Sequence, residues 1–187
     1  TLFPIGSCSK AFTATAIALL ADEGRIKLDT PVRAYLPDFS LKDPVASATL
    51  TTRDLLTHRS GLPRHDLFWY QAPFSRDEFY RRLRFLEPAG PPHVQWRYNS
   101  LIYVVAGRIV EQVTGESWES FVQARILSSL KMRRTVLSAE EMATDSDHAS
   151  PYAIHEGSVQ SIPMLKQLSA IAPAGAATQA GAGAVIL

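Results

Sequence analysis

A serine and a lysine three positions apart, at the start of a long apolar segment, constrain this chain most. Ser7 and Lys10 stand in the run FPIGSCSK at positions 3–10. Their side chains meet only if the backbone is helical, and segment 11–24 has the composition of a helix buried nearly all round. Desolvation there favours a neutral amine, which can activate a hydroxyl near the positive end of the helix dipole. The pattern predicts a lysine-activated serine nucleophile; its alternative is a capping Ser7 with a surface-exposed Lys10.

The spacing alone is not specific, because Ser128 and Lys131 repeat it with nothing around them to suggest chemistry. The context of Ser7 includes a second block, LTTRDLLTHRSGLP at positions 50–63. Thr51 predicts the cap of a short helix, and the serine and glycine near the end of the block predict a sharp exit. Read physically, this block gives only a short capped helix, and its bearing on Ser7 comes from a resemblance.

Together these blocks closely resemble the serine β-lactamase and penicillin-binding-protein superfamily, in the branch of class C β-lactamases, D-aminopeptidases and related esterases. That branch shares an F-x-x-G-S-x-S-K box and a T-x-x-x-L-L-T-H-x-S-G-L box. A third segment, WRYNSLIYVVAG at positions 96–107, resembles the Y-x-N box and the apolar helix after it. Tyr98 matches the tyrosine that faces the nucleophile. Ser100 replaces the asparagine and Asn99 takes the variable position, so both are candidates for binding substrate.

The resemblance implies an α+β, β-lactamase/transpeptidase-like fold, of which this chain supplies mainly the helical lobe and little of the antiparallel sheet. It covers positions 1–175 as a partial domain, including a P-A-G-G-like turn at Ala172–Gly175, and leaves 176–187 as an Ala/Gly-rich tail. The family continues with a strand bearing K-T-G or H-x-G, and we expect neither triplet in this chain. We therefore expect a domain truncated at both ends.

The resemblance also implies acyl transfer without a cofactor or metal, on a β-lactam, a D-amino-acid peptide or a small ester. Ser7 attacks the carbonyl, Lys10 takes the serine proton and Tyr98 relays a proton to the leaving group. The oxyanion rests on the backbone N–H of Ser7 and on a second donor from the K-T-G strand. The alternative is a catalytically impaired remnant, or a ligand-binding pseudoenzyme, that lacks this strand.

Histidines and the single cysteine offer the rival chemistries. A Ser-His-Asp triad on Ser7 stays open, although a lysine needs no distant partner. His58 is expected to brace the turn of its block, and His65 with Asp66 to form a loop pair rather than a metal site. Cys8 excludes an internal disulfide and is expected to pack as a small residue, with a nucleophilic thiol as the alternative.

Composition bounds the partners of the chain. Its 187 residues are 46% hydrophobic and carry 19 basic and 18 acidic side chains, for a net charge of +1, which argues against nucleic acid. No run of about 18 uncharged apolar residues predicts a transmembrane segment, and no signal peptide is visible. The resemblance alone suggests a periplasmic or secreted location. A helical lobe without its sheet exposes apolar surface, so self-association is expected.

Capping residues, glycines and prolines predict where the remaining helices begin and end. Ser75 is the first residue of a capping box that opens a helix to about residue 86, and Ser117 caps another helix. A helix is predicted over 101–113, with Gly115 beyond its end. A short helix is predicted after Pro31, where proline lacks only an N–H that would be unpaired in any case.

Overall fold

The structure is a computed structural model that describes residues 1–70, 72–163, 170–175 and 178–180. Helices dominate these residues. The α-helices are α1 Ser9–Asp22, α2 Pro44–Thr49, α3 Thr52–Leu56, α4 Asp66–Trp69, α5 Arg76–Arg82, α6 Leu101–Thr114, α7 Trp118–Val122, α8 Ala139–Thr144 and α9 Ala172–Gly175. Short 3₁₀ turns cover Gly6–Cys8, Val32–Ala34 and Leu83–Phe85, and a π-helical turn covers Gln123–Leu127.

Two small antiparallel sheets accompany the helices. Strand β1, Leu2–Pro4, pairs with β4, Thr178–Ala180, so the first strand lies beside a late one. Strands β2, Tyr152–His155, and β3, Ser158–Ser161, form a hairpin. This arrangement confirms the predicted α+β class with little sheet. Strand β4 falls within segment 176–187, the predicted tail, whose other residues lie outside the described ranges.

Helix α6 is the centre of the core. Nine of its fourteen residues are buried, and α1, α3, α5, α7 and α9 all pack against it. Gly115 ends the helix in the left-handed conformation at a φ of 78°, as the sequence predicts. The large side chains that surround α6 include Phe79 from α5 and both Trp118 and Phe121 from α7, each no more than 1% exposed.

Helix α1 is buried on one side only. Ala16, Ile17 and Leu20 are fully buried, whereas Ala11 and Ala18 are exposed. The prediction of a helix buried nearly all round is therefore wrong for the described part of the chain. Its apolar content comes largely from alanine, which has little side chain to bury and is the best helix former. The apolar content of α1 therefore overestimates how much of the helix surface is buried.

The predicted helix caps are confirmed. The side chains of Thr51, Ser75 and Ser117 each accept a hydrogen bond from a backbone N–H three residues on, at 3.1 or 3.2 Å. Thr51 also forms a full capping box with Asp54. After Pro31 the chain forms only the 3₁₀ turn of three residues rather than an α-helix. Searched over the described residues, no helix is long and apolar enough to cross a membrane.

Short helix α9 is fixed on both central helices, which brings a late segment of the chain to the start of α1. The hydroxyl of Thr13 donates to the carbonyl oxygen of Pro173 at 2.6 Å. Gly107 of α6 faces the same proline, and a Cβ atom at this glycine would lie 2.5 Å from Pro173 Cγ. Helix α9 therefore packs on α6 at a place where a side chain has no room.

Candidate active site

Ser7 lies in the 3₁₀ turn that joins β1 to α1. Gly6, at a φ of 50°, lets the chain turn out of the strand in the left-handed region. Ser9 stabilises the turn, because its hydroxyl donates to the carbonyl oxygen of Gly6 at 2.7 Å. Ser7 therefore stands partly exposed at the positive end of α1, while Ser9 and Lys10 after it are buried.

Lys10 lies one turn further on and is 7% exposed. Its Nζ atom is 3.2 Å from Ser7 Oγ, 2.6 Å from the hydroxyl of Tyr98, 3.3 Å from Ser100 Oγ and 2.7 Å from the carbonyl oxygen of Ala174. These oxygens outnumber the protons of even a charged amine, which carries three. A carbonyl can only accept, so the Ala174 oxygen takes one N–H of Lys10. The other hydrogens, or the lone pair of the neutral amine, are then available to the hydroxyl groups.

Tyr98 completes the set, because its hydroxyl is hydrogen-bonded to Ser7 Oγ as well as to Lys10. The loop before α6 delivers this tyrosine to the first turn of α1. On its ring face lies the guanidinium of Arg64, 4.9 Å from the ring centre and bonded to Asp66 at 2.6 Å. The structure therefore brings the three predicted catalytic side chains into mutual contact.

The surroundings shift both titrating groups of this set. Burial lowers the pKa of Lys10, and the nearby Arg64 guanidinium adds to the decrease, against the opposing hydrogen bond and charge of Tyr98. Burial opposes ionisation of Tyr98, but hydrogen bonds from Lys10 and Ser7 and the lysine charge outweigh it and lower its pKa. An amine that loses its proton more readily and a phenol that ionises more readily can share one proton.

The two predicted substrate-binding residues occupy different places. Ser100 is in the site, with its hydroxyl next to the Lys10 nitrogen. Asn99 is fully buried, its Nδ2 donates to the carbonyl oxygen of Pro63 and its Oδ1 accepts from the N–H of Ile102 at 3.2 Å. The Asn99 amide therefore joins the loop at Pro63 to the start of α6. Substrate binding by Ser100 stays a prediction, and these contacts favour a structural task for Asn99.

His58 packs behind Tyr98 at 8% exposure. Burial, with the Lys10 charge in addition, lowers the pKa of its imidazole to about 4, against a smaller opposing contribution from the Asn99 backbone. Tyr103 lies on the other side, and burial together with Tyr98 raises the pKa of its phenol to about 12. Its hydroxyl donates to the carbonyl oxygen of Leu56. A neutral histidine and a neutral tyrosine thus back the reactive phenol.

Sequence reasoning missed the carbonyl of Ala174 and the anchors that place it. The signal was available in part, because the segment at Ala172–Gly175 stood out as a P-A-G-G-like turn but was given no role. A backbone carbonyl carries no residue-type signature, and its partner Lys10 is 164 positions away. Thr13 and Gly107, which hold the neighbouring Pro173, look in the sequence like ordinary helix residues.

Other matches to motifs do not form sites of this kind. Ser128 donates its hydroxyl to the carbonyl oxygen of Gln123, and Lys131 is exposed in a left-handed conformation, so the second S-x-x-K is part of a helix end. Cys8 is exposed rather than packed, which corrects the prediction, because the buried side of α1 begins only with the next residue. The ring of His65 is bonded to the carbonyl oxygen of Glu87 and the Asp66 carboxylate to Arg64, which corrects the prediction of a His65–Asp66 pair.

One H-x-G triplet does occur, at His155-Glu156-Gly157, which corrects the expectation that the chain has none. It forms the turn of the β2–β3 hairpin, where Glu156 and Gly157 have φ angles of 49° and 77°. Two consecutive residues at positive φ are the requirement of a tight hairpin turn. The triplet is exposed at the tip of this hairpin, so its sequence reflects turn geometry.

Comparison with known proteins agrees with this geometry. The family model described as Beta-lactamase matches residues 1–186. The unguisins hydrolase ungD' of Aspergillus campestris is 31% identical over 189 residues, which is 95% of this chain and 35% of that protein. The chain therefore spans about a third of the length of this curated relative.

Solved structures give the same result for the fold. The octameric penicillin-binding protein homologue from Pyrococcus abyssi superimposes with a TM-score of 0.81 and 29% identity, over 96% of this chain and 42% of that one. A D-stereospecific amidohydrolase from Streptomyces gives a TM-score of 0.81 and 27% identity, over 95% and 57%. The predicted β-lactamase/transpeptidase-like fold is confirmed, and the chain corresponds to about half of each solved domain.

Proposed function

Because this chain belongs to the β-lactamase family, we propose that it is part of a serine hydrolase that forms an acyl-enzyme at Ser7. The observation that carries the proposal is the contact of Ser7 Oγ with both the Lys10 amine and the Tyr98 hydroxyl. A serine hydroxyl is a weak nucleophile by itself and needs a nearby base. The arrangement supplies two groups able to take its proton.

The contacts among Ser7, Lys10 and Tyr98 support the following reaction. Ser7 Oγ attacks a substrate carbonyl carbon, and its proton passes to the Lys10–Tyr98 pair. As the bond from that carbon to the leaving nitrogen or oxygen breaks, Tyr98 returns a proton to the leaving atom. Water then attacks the ester at Ser7 and releases the acid. The Ala174 carbonyl keeps Lys10 oriented throughout, because it accepts one of its hydrogens at 2.7 Å.

The relatives support a choice of substrate class. A D-stereospecific amidohydrolase, an unguisins hydrolase and a penicillin-binding protein homologue are all similar to this chain. We therefore propose a β-lactam, a D-amino-acid amide or peptide, or a small ester as the substrate. Ser100 is the described side chain that we assign to substrate contact, since it borders Lys10 at 3.3 Å. A periplasmic or secreted location stays a prediction.

The number of oxyanion donors affects the rate at which Ser7 is acylated. The resemblance implies one donor at the backbone N–H of Ser7 and another on the K-T-G strand. Loss of one such donor lowers the rate by about 10²–10³-fold. Because the reaction is slower with one donor, the test needs a reactive probe. We choose a fluorophosphonate, which reacts with activated serines, and use fluorescent penicillin as the second label.

The test is covalent labelling of the folded chain, read by intact mass and peptide mapping. The expected result is one adduct on Ser7 that disappears in Ser7→Ala. Ser128→Ala is the matched control, since it removes the serine of the other S-x-x-K, and it labels like the parent. Cys8→Ala, which removes the exposed thiol next to Ser7, also retains the label.

Two outcomes contradict the hydrolase proposal. An adduct that persists in Ser7→Ala places the reactive group elsewhere. No adduct on a chain with native helix content favours the alternative function, a remnant that at most binds ligands. Circular dichroism of each variant separates loss of reactivity from loss of structure.

Self-association stays a prediction of the sequence. The described surface does expose apolar side chains on the β2–β3 hairpin, where Tyr152, Ile154 and Val159 are 63%, 77% and 71% exposed. Ile154 and Val159 are direct cross-strand partners, so they stand on the same side of the hairpin. The Pyrococcus abyssi homologue is octameric.

A further inference from the structure

His58 accepts hydrogen bonds from the backbone N–H groups of both residues that flank Tyr98. The N–H of Arg97 donates to the backbone carbonyl oxygen of His58 at 2.8 Å, and the N–H of Asn99 donates to its Nδ1 atom at 3.3 Å. One residue therefore receives the hydrogen bonds immediately before and after the tyrosine. Tyr98 cannot shift along its loop without breaking one of them.

The imidazole of His58 also fills the space behind the phenol. Its ring centre is 4.6 Å from that of Tyr98 and 5.2 Å from that of Tyr103. The edge of Trp96 closes a third side, at 5.9 Å and an interplanar angle of 81°. This cage restricts the tilt of the Tyr98 ring, while the two hydrogen bonds restrict its backbone.

The backbone of His58 explains why histidine suits this position. Its φ angle is 58°, in the left-handed region where histidine, asparagine and aspartate are enriched among non-glycine residues. The N–H of Asn99 needs an unprotonated Nδ1 as its acceptor, so the imidazole must be neutral. Burial, and after it the Lys10 charge, favour this form, because both lower the pKa of His58.

We propose that His58 is a positioning residue that holds the Tyr98 hydroxyl against Ser7 and Lys10. This inference rests on the proposed function in one respect, namely that Tyr98 takes part in the proton transfer. His58 itself does not touch the reacting atoms in this proposal. Its effect on the reaction is through the location of the phenol.

The test compares His58→Ala, His58→Asn and a matched control. His58→Ala removes the ring and the acceptor, whereas His58→Asn keeps a side-chain acceptor and tolerates a positive φ but lacks the ring. His93→Ala is the control, because His93 also has a positive φ, of 68°, and its N–H is bonded to the turn at Arg59. Its ring faces Asp54 and Thr49 instead of Tyr98.

Two readouts are expected to move together. The second-order rate constant for fluorophosphonate labelling falls by about 10²-fold in His58→Ala, the loss that a displacement of about 1 Å can cause. His58→Asn recovers part of it, and His93→Ala labels like the parent. In chain labelled with ¹³C at the tyrosine ζ carbon, the pKa of Tyr98 rises toward its ordinary value, because the phenol leaves Lys10 and Ser7. The pH profile of labelling shifts upward accordingly.

The outcomes separate the two proposals. Unchanged labelling and an unchanged Tyr98 titration in folded His58→Ala overturn the positioning role. If the parent chain does not label at all, the hydrolase proposal fails, yet the tyrosine titration still decides whether His58 positions Tyr98. If His58→Ala does not fold, His58→Asn takes its place, and an unshifted Tyr98 pKa in that variant contradicts the cage.

Discussion

Gly107→Ala tests how closely the packing of α6 is coupled to the nucleophile. The added methyl group would lie 2.5 Å from Cγ and 2.8 Å from Cβ of Pro173. Neither neighbour is the end of a flexible chain, because both atoms belong to a proline ring on α9. The proline must therefore move by about 0.9 Å to reach an ordinary contact of 3.4 Å. Ala174, which follows it, moves away from Lys10.

The expected energies oppose each other. Alanine in a helix interior is favoured over glycine by about 1 kcal/mol. Overpacking of a close-packed core costs about 1–3 kcal/mol. We therefore expect Gly107→Ala to lower the free energy of unfolding by up to about 2 kcal/mol. The labelling rate falls more than this small change implies, since a displacement of about 1 Å at a reacting group can cost about 10²-fold.

Urea unfolding, followed by tryptophan fluorescence, gives the stability, and fluorophosphonate labelling gives the reactivity. Thr13→Val is the matched variant, because it removes the hydrogen bond to the Pro173 carbonyl without crowding α9. Both variants are expected to displace α9, and with it the Ala174 carbonyl that Lys10 bonds, so both are expected to label slowly. If Gly107→Ala raises the free energy of unfolding by the full alanine-over-glycine preference and labels at the parent rate, the packing of α9 does not determine the orientation of Lys10.

Two further predictions concern stability. The pKa of His58 in the folded chain is about 4 against 6.5 unfolded, so its contribution is complete above about pH 6.5 and is lost as the pH falls toward 4. Urea unfolding should lose up to about 3 kcal/mol over that range in the parent chain but not in His58→Asn, and equal losses would contradict the assignment. Arg76 is 16% exposed and pairs with two carboxylates, including Glu111 at 2.9 Å, so Arg76→Met should cost about 3–5 kcal/mol. Its control, Arg53→Met, breaks an exposed pair with Asp29 and should cost much less; similar costs for both would refute the distinction.

The sequence predicts the reactive side chains because each one belongs to a motif with a physical reason. Ser7 and Lys10 are close in sequence, so a single helix turn brings them together wherever that helix lies. Tyr98 is distant, and only the resemblance of its segment to the Y-x-N box predicts that it meets them. The capped helices were equally predictable, since a cap is a local interaction between a side chain and the backbone.

The support of the site was not predictable in the same way. Helix α1 is exposed at Ala11 and Ala18, because burial depends on what packs against a helix and not on its apolar content alone. The acceptor at Ala174 is a backbone atom, and its place depends on Gly107 having no side chain. The hydrogen bonds of His58 depend on its left-handed backbone conformation, which the sequence around it does not predict.

The long separation between Lys10 and Ala174 has a consequence for biosynthesis. A growing polypeptide exposes the nucleophile segment first, and the carbonyl that orients its amine follows 164 residues later. Closing so large a loop is slow relative to forming a helix, because contacts distant along the chain require the intervening chain to be ordered first. Until then the alcohol lacks its oriented amine. Under the proposed mechanism, an activated Ser7 is therefore expected only after the segment at Ala174 has packed on α1.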